Sequence, residues 1–426
     1  MNNSDSNKSV TGSNFIFLWG GQSLSLFGDQ ILLLALPLLA VEVLHVSAAH
    51  AALIPFAMFS PFLLIGLQAG ALIDRLPKKR TMIFCDLVQL SVFGCIATLA
   101  FYNQLTFPIL MMLVAIGGSA VVFFQVAYTS YLPEIVEGEL NIQKGNSRLF
   151  LSESLARIFG PMLGGPIIAV FGIVMAVFVN ALTFFLSFVS LSLITQKDKP
   201  HKGLSGNREK GWMRKDIWVG LKFVFNNPKL EPIILCGLVY VFFLSMIEFS
   251  LVLYCREILG LDAATIGVVV GATAAGFPIG NLICTKLAEM FDTSQVLVLG
   301  AVVSVIGVVL IPVMGSMGSI YGLVAVSVLH GVGEGAFGPT ALTIRQTVTP
   351  PDLLGRVNSV QRFLIWGAIP LSSLATSLII KLTGLSATLW VGGIGATLCL
   401  LPLLRKQILE DLKKAEFRIM YLGFKR

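Results

Sequence analysis

The sequence predicts an all-α membrane protein of twelve transmembrane helices, six on either side of one polar segment, and three observations carry that expectation. Apolar residues make up 55% of the 426-residue chain and charged residues only 12%, about half the charged share of a soluble domain, and mean hydropathy is +0.85. Apolar runs long enough to cross about 30 Å of hydrocarbon recur along the chain. Lys and Arg gather in alternate loops. A secreted disulfide framework, a nucleic-acid binder and a disordered chain are all excluded.

Six apolar runs fall in the first half, at roughly 15–41, 51–73, 81–101, 107–131, 148–171 and 173–195. Six more lie at roughly 232–256, 264–288, 295–315, 319–345, 358–381 and 386–404. The connections 41–51, 101–107 and 171–173 carry no Lys or Arg, whereas those on the opposite side hold Arg75, Lys78, Lys79, Arg80, Lys144 and a dense set from Lys197 to Lys229. Of 30 Lys and Arg residues, only Arg256 and Lys381 fall at outward ends. Basic loops stay in the cytoplasm, so both termini are expected there, with the chain in the cell (inner) membrane. The net charge of +7 is then an inner-face charge that suits anionic lipid better than nucleic acid. The N-terminal stretch MNNSDSNKSVTGSN has neither a basic n-region nor a small-residue cleavage site, so the first helix is expected to be retained.

The polar segment 196–230 begins as a flexible linker. It continues as WMRKDIWVGLKFVFNNP, where Trp212, Ile217, Trp218, Leu221 and Phe225 fall near one helical face, the pattern of an amphipathic helix on a membrane surface. The expected division is a six-helix bundle over 1–195, a cytoplasmic linker over 196–230, a second bundle over 231–405 and a cytoplasmic tail over 406–426. An internal repeat supports it. At an offset of 212, Val136, Asn146, Ser147, Ala156, Ile167 and Ile168 match Val348, Asn358, Ser359, Ala368, Ile379 and Ile380, and both copies enter the fifth span of their half.

Between the second and third spans lies Gly70-Ala-Leu-Ile-Asp74-Arg75-Leu-Pro77-Lys78-Lys79-Arg80. An ordinary basic loop explains the cations but not Gly70 and Asp74 at that spacing. Gly70 permits close helix approach, and Asp74 suits a neighbouring helix N-terminus. The stretch resembles the signature loop of the major facilitator superfamily, with Pro77 in place of a glycine. In the fifth span, Gly160-Pro161-Met-Leu-Gly164-Gly165 resembles the motif of exporters in that superfamily. Its small residues allow close packing and its proline frees the helix to bend; Ala156 stands where a further glycine is usual. The first span, Trp19-Gly20-Gly21-Gln22-Ser23 through Gly28-Asp29-Gln30, resembles the macrolide-efflux and enterobactin-exporter branch. The resemblance implies two six-helix bundles around a central cavity, a monomer, and contacts of Arg356 and Arg362 with the Asp74 loop in one conformation. One departure is that the fourth span lacks the arginine that many drug–proton antiporters carry.

Ionisable residues inside hydrocarbon mark pathways or partners. Asp29 lies in the first span, Glu248 in the seventh and Glu334 in the tenth, with Gln125 in the fourth. In the superfamily these four spans line the cavity, so the resemblance implies a polar-lined path, flanked by Phe123, Phe124, Phe242, Phe243 and Phe249. Asp29, Glu334 and Glu248, in that order, are the candidates for proton coupling. The competing reading pairs them structurally with Arg362, Arg157 or His330. Glu153 and Arg157 are spaced to pair on their own helix. Asp86 is expected to contact the basic loop, and Glu42 to be solvated.

No GxxxxGK[ST] loop occurs, so ATP hydrolysis by this chain is not expected. Six scattered cysteines and four dispersed histidines show no metal-ligand or disulfide spacing, and no cofactor is expected. The expected function is a proton-coupled exporter of a small amphipathic molecule, a drug such as a macrolide or a siderophore. An importer or lysophospholipid flippase on the same fold is the alternative. A membrane-embedded lipid-modifying enzyme is a remote one.

Overall fold

The computed structural model describes residues 10–73, 76–196 and 212–405. Among them, twelve helices are long and apolar enough to cross a membrane, and no strand occurs. Hydrocarbon offers the backbone no hydrogen-bond partner, so runs of this composition must satisfy their amides internally as helices. The first six spans are Ser13–Val43, Ala48–Gly66, Lys78–Phe101, Phe107–Ile135, Leu140–Phe171 and Ile173–Leu193. The last six are Leu230–Glu257, Ala263–Ala288, Thr293–Ser316, Ile320–Val348, Leu353–Thr383 and Leu385–Leu404. Each falls on an apolar run read from the sequence. The fifth and eleventh start earlier, because their first turns are polar and run beyond the apolar stretch. The first ends in a π-helical turn, Leu39–Val43, and the twelfth tightens into a 3-10 helix over Thr397–Leu404.

The repeat is visible in the helices themselves. Glu139–Phe171 and Pro351–Thr383 are both 33 residues long. Each is capped by a glycine in the left-handed region, Gly172 at φ 85° and Gly384 at φ 91°. Those amides donate to Ile168 and Ile380, the pair already matched in the sequence. Only glycine takes that backbone turn without strain.

Two compact units form, one of residues 1–207 with 255–271, the other of residues 208–254 with 272–426. In the first, the first span packs against the fifth and sixth, the second against the fourth, and the third against the fourth and sixth. In the second, the ninth span packs against the tenth and twelfth. The eighth and tenth approach at backbone distance, since a Cβ on Gly276, Gly280, Gly331 or Gly335 would strike a carbonyl of the facing helix. Large apolar side chains such as Leu64, Phe84, Phe171 and Leu282 are exposed, as a lipid-facing surface requires.

The surface helix Trp212–Asn226 corrects the expected apolar stripe. It docks on the eleventh span through Leu221 and a fully buried Val224, against Val357 and Val360. Trp218 points away and is 67% exposed. Docking therefore divides the apolar residues between two faces; Trp212 and Ile217 lie outside the described side chains.

Candidate transport site

In the first unit, Asp29 is half-buried on the first span. Its neighbour Gly28 sits against the sixth span so closely that a Cβ there would lie 2.5 Å from Asn180 Oδ1. Gln125 is half-buried on the fourth span. In the N-terminal half of the first span, Ser23 donates to the Trp19 carbonyl at 2.6 Å and its Oγ lies 2.8 Å from Ser152 Oγ, which accepts from Trp19 Nε1 at 2.9 Å. Arg148 stacks over Trp19 at 5.7 Å and donates to the Val10 carbonyl at 2.9 Å.

The glycine motif of the fifth span lies in a seam with two partners. Gly160 faces Gln30, a Cβ on Gly164 would lie 3.3 Å from Ile31 Cα, and one on Gly165 would strike the Ala263 carbonyl. The approach is reciprocal, since a Cβ on Gly267 would strike the Pro161 carbonyl and one on Gly271 would lie 2.7 Å from the Ile158 carbonyl. Above the seam, Arg256 Nε pairs with Glu42 Oε1 at 2.6 Å, and Arg256 also donates to the Leu261 carbonyl at 3.1 Å. Glu42 is therefore paired rather than simply solvated, because the π-helical turn and the end of the seventh span bring the two side chains together. Beyond that end, hydrogen bonds from Thr265 hold the Asp262 carboxyl below the usual range, and Asp262 accepts from the Thr265 amide at 3.3 Å at the start of the eighth span.

Of the loop motif, Gly70 lies in the second helix, and Asp74 and Arg75 fall outside the described residues. The basic cluster is anchored within the first unit. Lys78, 9% exposed overall, pairs with Glu134 at 2.6 Å and donates to the Ser130 carbonyl at 3.1 Å. Lys79 donates to the Ile194 carbonyl at 2.6 Å. Arg80 and Arg362 are exposed and Arg356 is half-buried. Arg157 pairs with Glu153 at 2.9 Å, as the i,i+4 spacing anticipates.

Asp86 corrects the sequence reading more sharply. It is fully buried, and neither carboxylate oxygen has a hydrogen-bond partner among the described residues. Among the described residues of the basic loop, Lys78 bonds Glu134 and Lys79 bonds the Ile194 carbonyl, and neither bonds Asp86. It lies close enough to Asp29 for the two charges to interact.

In the second unit, the tenth span places His330, 1% exposed, one turn before Glu334, with His330 Nε2 3.7 Å from Glu334 Oε2. The Glu334 side chain remains 36% exposed. On the other side of the imidazole, Tyr240 Oη lies 2.9 Å from Nδ1 and 2.5 Å from Ser304 Oγ. Ser304 Oγ is 3.0 Å from the same nitrogen and donates to the His330 carbonyl at 3.2 Å. The seventh, ninth and tenth spans are thus joined by one polar network ending in a partly exposed carboxylate. Glu248 lies exposed on the seventh span. Sequence reasoning missed Tyr240 and Ser304. The only available signal was a tyrosine and a serine at mid-span positions, and that signal is common.

Comparison with known proteins agrees with this architecture. A transporter of Bacillus subtilis, YfiS, described as an uncharacterized MFS-type transporter, is 27% identical over 260 residues, covering 61% of this chain and 60% of that protein. The multidrug efflux pump Tap of Mycolicibacterium fortuitum is 25% identical over 373 residues, 85% of this chain and 88% of the pump. Macrolide efflux protein A of Streptococcus pyogenes is 20% identical over 370 residues, with the same coverage of 85% and 88%. Among solved structures, a bacterial homologue of the iron transporter ferroportin, in its inward-facing state, superposes with a TM-score of 0.74 at 16% identity, over 93% of this chain and 98% of that one. At that identity the likeness concerns the fold alone. The family model described as Major Facilitator Superfamily matches residues 18–289 and 233–418. Twelve apolar helices, efflux-pump relatives along most of the sequence and that match lead to one conclusion: the chain is a multi-pass membrane transporter that belongs to the Major Facilitator Superfamily.

Proposed function

We propose that this transporter is a proton-driven exporter of a small amphipathic molecule, a macrolide-type drug or a siderophore, working by alternating access in the cell membrane with both termini in the cytoplasm. The observation that carries the reading is the Glu334–His330 pair. A partly exposed carboxylate sits 3.7 Å from a buried imidazole that is itself hydrogen-bonded to two other spans. Protonating Glu334 removes the negative charge facing the imidazole, which changes how the tenth span is held against the seventh and ninth. Coupling requires only that the two conformations bind the proton with different affinity. Asp29, on the first span, is the corresponding group of the first unit, while Glu248 and Gln125 contribute polar contacts for cargo. The motif residues Gly70, Asp74, Arg75, Lys79, Arg80, Arg356 and Arg362 act on the conformational equilibrium, and Gly160, Pro161, Gly164 and Gly165 provide the close-packed seam. The efflux activity named for the Tap and macrolide relatives supports outward transport of a drug-like cargo.

The test is proton release from energised inverted vesicles containing the protein, with macrolides, cationic dyes and iron-free siderophores added in turn. Cargo-dependent loss of the pH gradient, abolished in Glu334→Gln and reduced in Asp29→Asn, is the expected result. Cargo flux that leaves the gradient untouched rejects proton coupling. Gradient loss unchanged in both variants removes these carboxylates from the path.

A further inference from the structure

The first, third and sixth spans share a feature that export by Glu334 and Asp29 does not use. Phe93 of the third span stacks on Phe184 of the sixth, with centroids 5.8 Å apart and an interplanar angle of 12°. That stack fixes the register of these two antiparallel helices. Moving inward from it, the third span runs back through Gln89 to Asp86, and the sixth runs on to Ser187. The first span closes the third side, where a Cβ on Gly21 would lie 3.2 Å from Ser187 Cα. Gln22 follows directly.

Around this level the polar atoms are unsatisfied together. Both oxygens of Asp86, Oε1 of Gln89, Oγ of Ser187 and Oε1 of Gln22 are buried with no hydrogen-bond partner among the described residues. Asp86 is 0% exposed, Ser187 1% and Gln89 3%. Ser187 is within reach of the Asp86 carboxylate without completing a bond of good geometry. Buried polar atoms are almost always paired, so a group of them facing one seam calls for a common partner. Among the described residues, these three spans do not supply a positive one. The first span from Ser13 to Leu38 holds Asp29 as its only ionisable side chain, the sixth holds none, and the third holds no Lys, Arg or His after Lys78, Lys79 and Arg80 at its start.

We propose that Asp86, with Gln89, Ser187 and Gln22, binds a monovalent inorganic cation of the sodium type in the seam between the first, third and sixth spans. The five atoms are all oxygens, the donor set of a hard cation. Asp86 is the one carboxylate among the five atoms, with Asp29 of the first span near enough to add to the negative field, so a cation of low charge is matched without Asp29 as a ligand. Transition metals favour nitrogen and sulfur donors, and among the described residues no group of three His, Cys, Asp or Glu could hold one. Ion occupancy here goes beyond the export reading and stands or falls separately from it, since it is measured without cargo or transport.

The experiment uses purified full-length protein in detergent at fixed pH, titrated with sodium chloride against choline chloride at constant ionic strength. Thermal unfolding and equilibrium binding of radioactive sodium are read in parallel. A ligand that binds only the folded state raises its melting temperature with concentration. The expected result is a saturable rise of about 2–5 °C with sodium and matching radioactive binding. Both are abolished in Asp86→Asn, weakened at least about tenfold in Ser187→Ala or Gln89→Leu, and kept in Ser91→Ala, a polar change on the exposed face of the same helix. Should Asp86→Asn fail to fold, the Ser187 and Gln89 variants carry the test. A sodium effect that survives in all three variants overturns the assignment. So does stabilisation by acidification alone, which makes a proton the occupant, or a response to magnesium or calcium without one to sodium.

Discussion

Arg256 Nε lies 2.6 Å from Glu42 Oε1, tying the end of the first span to the end of the seventh. Both side chains are about one-third exposed, at 38% and 32%, so solvent screens the pair and its worth is about 0.5–1 kcal/mol. A double-mutant cycle with Glu42→Gln and Arg256→Gln, read by thermal unfolding, is expected to return a coupling energy of that size. It should shrink in high salt. Purely additive losses would make the contact incidental.

Lys78 and Glu134 form a different kind of pair, with side chains only 11% and 13% exposed. Removing one partner strands a charge in a poorly hydrated place, at a cost of about 3–5 kcal/mol, whereas removing both costs far less. Lys78→Met is therefore expected to lose most folded protein on purification, and Lys78→Met with Glu134→Gln to recover most of it. Equal yields from the single and double variants would show that Lys78 acts through its bond to Ser130 alone.

The glycines of the eighth and tenth spans separate packing from mere helix composition. A Cβ on Gly331 would strike the Thr273 carbonyl and one on Gly335 the Phe277 carbonyl, whereas Gly338, on the same helix, has nothing within 4 Å. Gly331→Ala and Gly335→Ala are expected to destabilise by about 1–3 kcal/mol or more, as overpacking does. Gly338→Ala should be neutral or slightly stabilising through helix propensity. Melting curves in one detergent check all three, and indifference at Gly331 would contradict the close approach.

These contrasts also show what the sequence could carry. The twelve spans were legible because apolar run length maps directly onto membrane thickness. The repeat was legible because Asn146, Ser147 and Ile168 recur as Asn358, Ser359 and Ile380 at one offset. Contacts between distant segments were not. Asp86 stands within three turns of Lys78 and looks served by the basic loop, yet Lys78 turns to Glu134 and Lys79 to Ile194, leaving the carboxylate enclosed. Glu42 looks like a surface residue until the π-helical turn aims it at Arg256. Local pattern reports which residues are polar, while pairing depends on helix rotation and register that only the assembled fold fixes.

The network in the tenth span yields the prediction closest to function. Tyr240 Oη bonds Ser304 at 2.5 Å and His330 at 2.9 Å. Tyr240→Phe therefore deletes two bonds and leaves His330 Nδ1 and Ser304 to satisfy each other at 3.0 Å. Since that remaining contact relieves part of the loss, the stability cost is expected to stay near 1–2 kcal/mol. The effect on transport should be larger and of one kind. If the network transmits the protonation of Glu334, Tyr240→Phe weakens gradient-driven efflux while cargo binding and gradient-independent exchange persist. Glu334→Gln replaces the carboxyl with an amide that mimics its uncharged form and cannot titrate, so its efflux should no longer respond to an imposed pH gradient. His330→Gln should fall between the two, keeping a polar group but no titratable one. Flux measured with and without the gradient separates these cases: equal losses in both modes would mean that Tyr240 only holds the helices together.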